Sequence, residues 1–143
     1  MEEFIIVRYL HFLGIILLTS MLVLENFLFS NNLKNNIIKK LLLIDGLYGL
    51  SAILTFITGF ILWFYVGKPS EFYTTNPIFH IKLTLFMVVV VLSIFPTVFL
   101  FRNRKSTSEV IVPKYIRLIK RHELMFLIMI PLVAVLMAYG ITI

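Results

Sequence analysis

The sequence predicts an all-α integral membrane protein, a single domain (residues 1–143) built as a bundle of four transmembrane helices. Its composition is the first observation behind this prediction. Of the 143 residues, 60% are hydrophobic and only 14% are charged, whereas charged residues make up about 25% of a soluble domain. The mean hydropathy is +1.01. A small fold cannot bury so much apolar area in one core, so lipid is the expected solvent.

Four long apolar stretches, the second observation, give the number of helices. Each has at least about 20 residues, enough for a helix to cross ~30 Å of hydrocarbon. A segment in lipid must satisfy its own backbone hydrogen bonds, so helices are expected rather than loops or open strands. The predicted helices cover residues 4–29, 41–66, 77–101 and 122–143.

The distribution of Lys and Arg predicts the orientation of the bundle. The first and third connections, Ser30–Lys40 and Arg102–Arg121, hold ten of these residues, and the opposite side holds three. The positive-inside rule places both basic connections in the cytoplasm and both termini outside. The expected location is the inner (plasma) membrane. Within the third connection, Val112–Arg121 is expected to form a separate amphipathic helix at the interface.

Composition and motifs also exclude several classes of function. The chain has no cysteine, which excludes disulfides, thiolate metal sites, iron–sulfur clusters and thiol catalysis. No zinc, nucleotide or hydrolase motif appears, so the sequence assigns no catalytic residue. The basic residues flank apolar segments, so the expected partner is lipid and not nucleic acid. A homo-oligomer is also expected, because four short helices enclose little space.

Ionisable residues near the outer ends of helices 1 and 3 form one candidate site. Inserting an ionisable side chain into the membrane costs about 2.5–3.5 kcal/mol on insertion scales, so each such residue is expected to have a structural or functional role. Gly14, one turn from His11, is expected to leave room beside the imidazole for a large flat group. His80 and Lys82 are about 200° apart on a helix, which favours Lys82 toward the bundle and His80 at the headgroup level. The residues of this outer layer are Arg8, His11, His80 and Lys82.

A second, acidic layer is predicted near the cytoplasmic end. An acidic layer suits protons or cations, and isolated carboxylates in lipid would be costly, so we expect these side chains to form one polar network. Two structural alternatives remain open: Lys39 and Lys40 could neutralise the acid in helix 2, and the acid in helix 4 could complement the helix dipole. The residues of the predicted network are Glu25, Asp45, Tyr48, His122 and Glu123.

Several strings of the sequence carry a family resemblance. RYLH from Arg8, DGLYG from Asp45, and NPIFHIKLTLF from Asn76 resemble a bacterial four-helix "predicted membrane protein" family of unknown function. The resemblance covers almost the whole chain. That family is similar, more distantly, to the oxygen-independent membrane protoporphyrinogen oxidase and to the copper-resistance D membrane domain.

The distant resemblance implies a cofactor. The oxidase relatives carry a histidine in helix 1, a lysine early in helix 3 and an Asn-Glu pair opening helix 4, and here His11, Lys82 and Glu123 occupy matching positions. This implies a shared pocket and a b-type heme. His11 would be the axial ligand of the heme iron, Lys82 or His80 the second ligand or a propionate partner, and Arg8 a propionate clamp.

Three functional hypotheses follow. The first is a heme- or porphyrin-binding membrane protein with a redox role. His122 stands where the oxidase has Asn, and the chain has one tryptophan in place of tryptophan-rich motifs, which argues against porphyrinogen oxidation. The second is a small transporter or a proton- or cation-binding protein, in which the acids of the inner layer relay protons or hold a cation. The third is a membrane scaffold without a ligand.

Overall fold

A computed structural model describes residues 2–66 and 74–139 of the chain, and this part is almost entirely helical. The four predicted helices are present, which confirms the all-α fold. A π-helical turn, Leu62–Val66, continues the second helix. Two short strands, β1 (Asn32–Leu33) and β2 (Val110–Ile111), lie in the connections. The helices are α1 (Glu2–Leu28), α2 (Asn35–Ile61), α3 (Pro77–Arg102) and α4 (Lys114–Ala138).

The helices form a bundle of two hairpins. α1 packs mainly against α2, and α3 packs mainly against α4, while α1 with α4 and α2 with α3 close the ring. α1, α2 with its extension to Tyr65, and α3 are each long and apolar enough to cross a membrane. The described part of α4 is not long and apolar enough by the same criterion, because its first three turns carry most of its charged side chains. The predicted fourth span, residues 122–143, ends outside the described residues and stays a prediction.

Both basic connections are shorter than predicted. α2 begins at Asn35 and not near residue 41, because Ile38 is fully buried and draws this segment into the bundle. A separate interfacial helix over Val112–Arg121 was also predicted, and this prediction is wrong. α4 runs without interruption from Lys114, since neither proline nor glycine follows Pro113 until well inside the helix.

The two basic connections meet at one end of the bundle. β1 and β2 pair antiparallel, with Asn32 opposite Ile111 and Leu33 opposite Val110. The backbone N–H of Val112 donates to the carbonyl of Asn31 at 2.8 Å. The charge count had placed both connections on one side, and the pairing agrees with it. That this side is cytoplasmic stays a prediction.

Two apolar cores lie along the bundle axis. The end core, next to the basic connections, contains Phe29, Leu33, Ile38, Leu41, Leu100, Val112 and Ile116. The central core contains Leu18, Leu22, Tyr48, Val89 and Leu127. Many large apolar side chains outside these cores are exposed, as expected of surfaces that face lipid. The space between the two cores holds the charged residues described below.

The contact between α1 and α2 is closest at Gly14. A Cβ atom built on Gly14 would lie 2.7 Å from Thr55 Oγ1. Small residues on a stripe allow two transmembrane helices to approach in this way. The space beside His11 that the sequence predicted at Gly14 is therefore filled by Thr55, and the prediction of an open notch there is wrong.

A pair of glycine substitutions tests this contact. Gly14→Ala should lower the apparent melting temperature in detergent, because overpacking costs about 1–3 kcal/mol. Gly46→Ala is the matched control: nothing lies within 4 Å of a Cβ built there, and Ala in a helix interior is favoured over Gly by about 1 kcal/mol. Equal melting temperatures for the two variants would contradict the close contact.

Candidate functional site

Four charged side chains are buried between the end core and the central core. Glu25 and Glu123 are 0% exposed, Lys120 is 1% exposed and Asp45 is 7% exposed. Glu25 lies on α1, Asp45 lies on α2, and Glu123 and Lys120 lie on α4. We call these four residues the carboxylate cluster.

The ammonium group of Lys120 is the centre of the cluster. Its Nζ lies 2.5 Å from Glu25 Oε2, 3.4 Å from Glu123 Oε2 and 3.8 Å from Asp45 Oδ1. The same Nζ lies 4.9 Å from the centre of the Tyr48 ring, a cation–π contact. One cation thus links carboxyl groups from three helices.

Two hydroxyl groups complete the surroundings of the carboxyl groups. Tyr48 donates from its hydroxyl to Glu123 Oε1 at 3.3 Å. Thr97 donates to Asp45 Oδ2 at 2.7 Å, and through it α3 also reaches the cluster. All four helices therefore contribute a polar group to the same buried site.

The fold positions Lys120 through both its backbone and its helix face. Asn26 donates from Nδ2 to the backbone carbonyl of Lys120 at 3.1 Å, which ties α1 to α4 beside the cluster. Glu123 follows Lys120 by three residues, so the two side chains share one face of α4. The cluster is therefore preorganised by the packing of the helices.

The charges of the cluster do not balance when every group is ionised. Three carboxyl groups surround one ammonium, which leaves two negative charges in excess. In the described part of the chain, Glu25 Oε1 accepts no hydrogen bond. Protonation of a carboxyl group removes one of these negative charges.

The structure brings together four of the five side chains in the predicted inner network. Glu25, Asp45, Tyr48 and Glu123 all contact one another or Lys120. His122 does not join them: it is exposed on the other side of α4. Its Nδ1 bonds to the carbonyl of Leu118, one turn earlier, at 2.7 Å. Successive residues on a helix are 100° apart, so a neighbour of Glu123 faces away from it.

Lys120, at the centre of the site, is not among the predicted site residues, because it lies in the predicted basic connection. Lys39 and Lys40 were the predicted alternative partners of Asp45, but these two are exposed. A signal was present in the sequence. Lys120 and Glu123 lie on one stripe with Ile116 and Leu127, at spacings of four, three and four residues, and all four side chains are buried. Thr97 was also missed.

His11 is bound to α2. Its Nδ1 lies 3.1 Å from the carbonyl of Thr55 and 2.9 Å from Thr58 Oγ1. The hydroxyl of Thr58 itself donates to the carbonyl of Leu54 at 2.7 Å, so it accepts from the imidazole. Nδ1 therefore carries the proton, and Nε2 of the neutral ring is the nitrogen with a free lone pair.

The other residues of the predicted outer site are divided between the bundle and its surface. Lys82 is half-buried. His80 is exposed and bonds through Nε2 to the carbonyl of Thr74 at 2.6 Å. Arg8 is exposed, with its guanidinium 5.7 Å and 5.8 Å from the ring centres of the two flanking phenylalanines, Phe4 and Phe12.

The sequence matches one family of membrane proteins, described as "Predicted membrane protein (DUF2214)", over residues 4–142. The chain belongs to this family. The family resemblance stated from the sequence is thereby confirmed. No curated protein and no solved structure matches the chain. The distant similarity to the membrane protoporphyrinogen oxidase and to the copper-resistance D domain stays a prediction.

Removal of the central cation tests how the site is held together. Lys120→Met should destabilise the protein by about 3–5 kcal/mol, because it leaves buried carboxyl groups without their cation. Lys114→Met, an exposed lysine on the same helix, is the control and should leave the melting temperature unchanged. Adding Glu25→Gln to Lys120→Met should recover part of the loss. A stable single variant would contradict the central role of Lys120.

Proposed function

We propose that this protein is a proton-binding membrane protein whose site is the carboxylate cluster. The proposal develops the second hypothesis from the sequence, in which buried acids hold protons or a cation. One observation supports it above the others: three buried carboxyl groups surround one ammonium, so two negative charges are in excess when every group is ionised. A proton bound to one of the carboxyl groups reduces this excess.

The energetics of burial favour protonation of the cluster. Even after relaxation, moving an ion out of water costs several kcal/mol, and a neighbouring opposite charge offsets this cost only when the charges pair. Lys120 can offset one of the three carboxylates. A bound proton neutralises another without any change in packing. The number of protons held then depends on how closely the ammonium approaches each acid.

The cluster suits a proton better than a metal ion. Within residues 2–66 and 74–139, no group of three acidic or histidine side chains is arranged to hold a metal ion. The reason is visible in the geometry, since the ammonium of Lys120 occupies the point on which the carboxyl groups converge. A metal cation would have to displace that ammonium.

Infrared spectroscopy of the protein in lipid nanodiscs tests the proposal. We expect the carbonyl stretch of a protonated carboxylic acid at neutral pH, shifted in D₂O as an exchangeable proton requires. Glu25→Gln should remove or reduce it. Glu109→Gln, which alters an exposed acid in the third connection, should not. If no protonated carboxyl signal is present at neutral pH, or if both variants retain it equally, the proposal is wrong.

Heme binding is a second candidate function, supported by the hydrogen bonds of His11. Histidines that ligate metals usually donate their other ring nitrogen to a carbonyl or carboxylate, which fixes the tautomer. His11 has this arrangement, with Nδ1 on the carbonyl of Thr55, which leaves the lone pair of the neutral ring on Nε2. The donor chemistry thus fits an axial ligand, and a bound heme would supply redox chemistry. The predicted space at Gly14 does not fit, because Thr55 fills it.

The absorption spectrum of the purified protein tests this candidate. If a heme is bound, a Soret band should be present, and His11→Ala should abolish or shift it. His122→Ala, which alters the exposed histidine on α4, is the control and should leave the band unchanged. Absence of a Soret band after expression with added heme, or equal effects of both substitutions, would exclude His11 as the ligand.

A further inference from the structure

A groove runs along the outer face of the bundle between α3 and α4. It consists of two depressions that meet at Tyr115, which lines both of them. On α3 the lining residues include five at successive spacings of four, three, four and three, beginning at Val88 and ending at Arg102. Residues spaced in this way lie in one line along a helix. We call this feature the α3–α4 groove; its walls are 88–102 of α3 and 115–126 of α4.

The groove is apolar along most of its length and cationic at one end. Its deep part, around Val88 and Phe126, is lined by aliphatic and aromatic side chains together with His122. Nδ1 of that histidine is already bonded to a backbone carbonyl of its own helix. The opposite end of the groove contains Arg102, next to Tyr115. A ligand that fills the groove must therefore have a long apolar part and, at one end, a group that binds a cation.

The length of the groove matches one leaflet of a bilayer. From Val88 to Phe99 the helix rises about 16 Å, and half of a hydrocarbon layer of ~30 Å is about 15 Å. Tyr115 lies at the polar end, and tyrosine rings are enriched at the level of the lipid headgroups. An acyl chain of one leaflet thus reaches from the level of Tyr115 to the deep end of the groove. Arg102 then lies at the level of the headgroup phosphate.

Arg102 is free to bind such a phosphate. Among residues 2–66 and 74–139, nothing bonds to its exposed guanidinium. Two nearby arginines are engaged within the protein. Arg104 donates to the carbonyl of Phe101 at 2.6 Å and lies 3.8 Å from the centre of its ring, and Arg117 donates to the side chain of Asn31. A guanidinium binds two oxygen atoms of one phosphate in a planar, bidentate arrangement.

The charge at this end of the bundle favours an anionic headgroup. The two basic connections contain ten Lys and Arg residues and one acid, Glu109. Basic pockets between transmembrane helices bind the headgroups of anionic lipids. A zwitterionic headgroup would place its own ammonium among these cations, whereas an anionic headgroup brings only negative charge.

We propose that the α3–α4 groove binds an anionic phospholipid, with the phosphate on Arg102 and one acyl chain between α3 and α4. The site lies outside the carboxylate cluster and does not depend on the proposed proton binding. It also holds for either orientation of the bundle, because it requires only that the basic connections lie at a membrane surface. The ligand is a lipid and not free phosphate, because the apolar length of the groove needs an acyl chain to cover it.

Native mass spectrometry of the protein released from nanodiscs tests the charged end of the site. The nanodiscs contain equal amounts of phosphatidylglycerol and phosphatidylcholine. We expect the protein to retain phosphatidylglycerol in at least about fivefold excess. Arg102→Gln should abolish this excess, because it removes the cation that binds the phosphate. Arg104→Gln is the matched control: it makes the same change of charge two residues away, at an arginine engaged with Phe101, and should leave the excess unchanged.

A second pair of variants tests the apolar part of the site. Val88→Phe adds a ring at the deep end of the groove and should lower the retention of phosphatidylglycerol, because the acyl chain loses its space. Val91→Phe adds the same ring at an exposed position of α3 that is not part of the groove. This control should retain as much lipid as the unaltered protein.

Each alternative gives a distinct result. If Arg102→Gln and Arg104→Gln lower the excess equally, the cations attract anionic lipid only in general, and the proposed site is wrong. Equal retention of the two lipids by the unaltered protein, or retention of neither, also overturns it. If a dimer appears in place of bound lipid and only Val88→Phe disrupts it, a second copy of the chain covers the groove, and the proposal is wrong.

Discussion

The ammonium of Lys120, held among three carboxyl groups, is the interaction on which the rest of the bundle depends. It is buried between two apolar cores and draws acids from α1, α2 and its own helix to one point. Because water is excluded from this position, a charge there is tolerated only if its partners are close. The end core excludes water on the side of the basic connections, and the pairing of β1 with β2 holds that core together.

The specificity with which the helices associate follows from the same interaction. Lipid is as apolar as leucine, so apolar side chains alone do not decide which helices associate or in what register. A buried lysine that must reach Glu25 and Asp45 permits only one register of α4 against α1 and α2. Away from the carboxylate cluster, the close approach at Gly14 fixes how α1 packs against α2. The two features together define the arrangement of a chain whose helices otherwise present similar surfaces.

The sequence predicted the architecture well because the hydrophobicity of a segment shows directly whether lipid or water surrounds it. Four helices, their order and the shared end of the basic connections all follow from where apolar and basic residues lie. The predicted acids of the inner layer also come together, since carboxyl groups in lipid must find partners. Three features required distances that a sequence does not contain. These are the inward turn of Lys120, the filling of the notch at Gly14 by Thr55, and the start of α2 before Lys39. Each depends on which neighbour competes for the same space.

The division of the cluster between the two hairpins has a consequence for how the protein is made. Glu25 and Asp45 belong to the first hairpin, and their cation belongs to the second. During synthesis the first hairpin therefore enters the bilayer with two acids whose counter-ion has not yet emerged from the ribosome. Until α4 arrives, those acids must stay protonated or remain near the headgroups. Docking of the second half thus completes the charge pairing, and a chain interrupted before Lys120 leaves Glu25 and Asp45 without this cation.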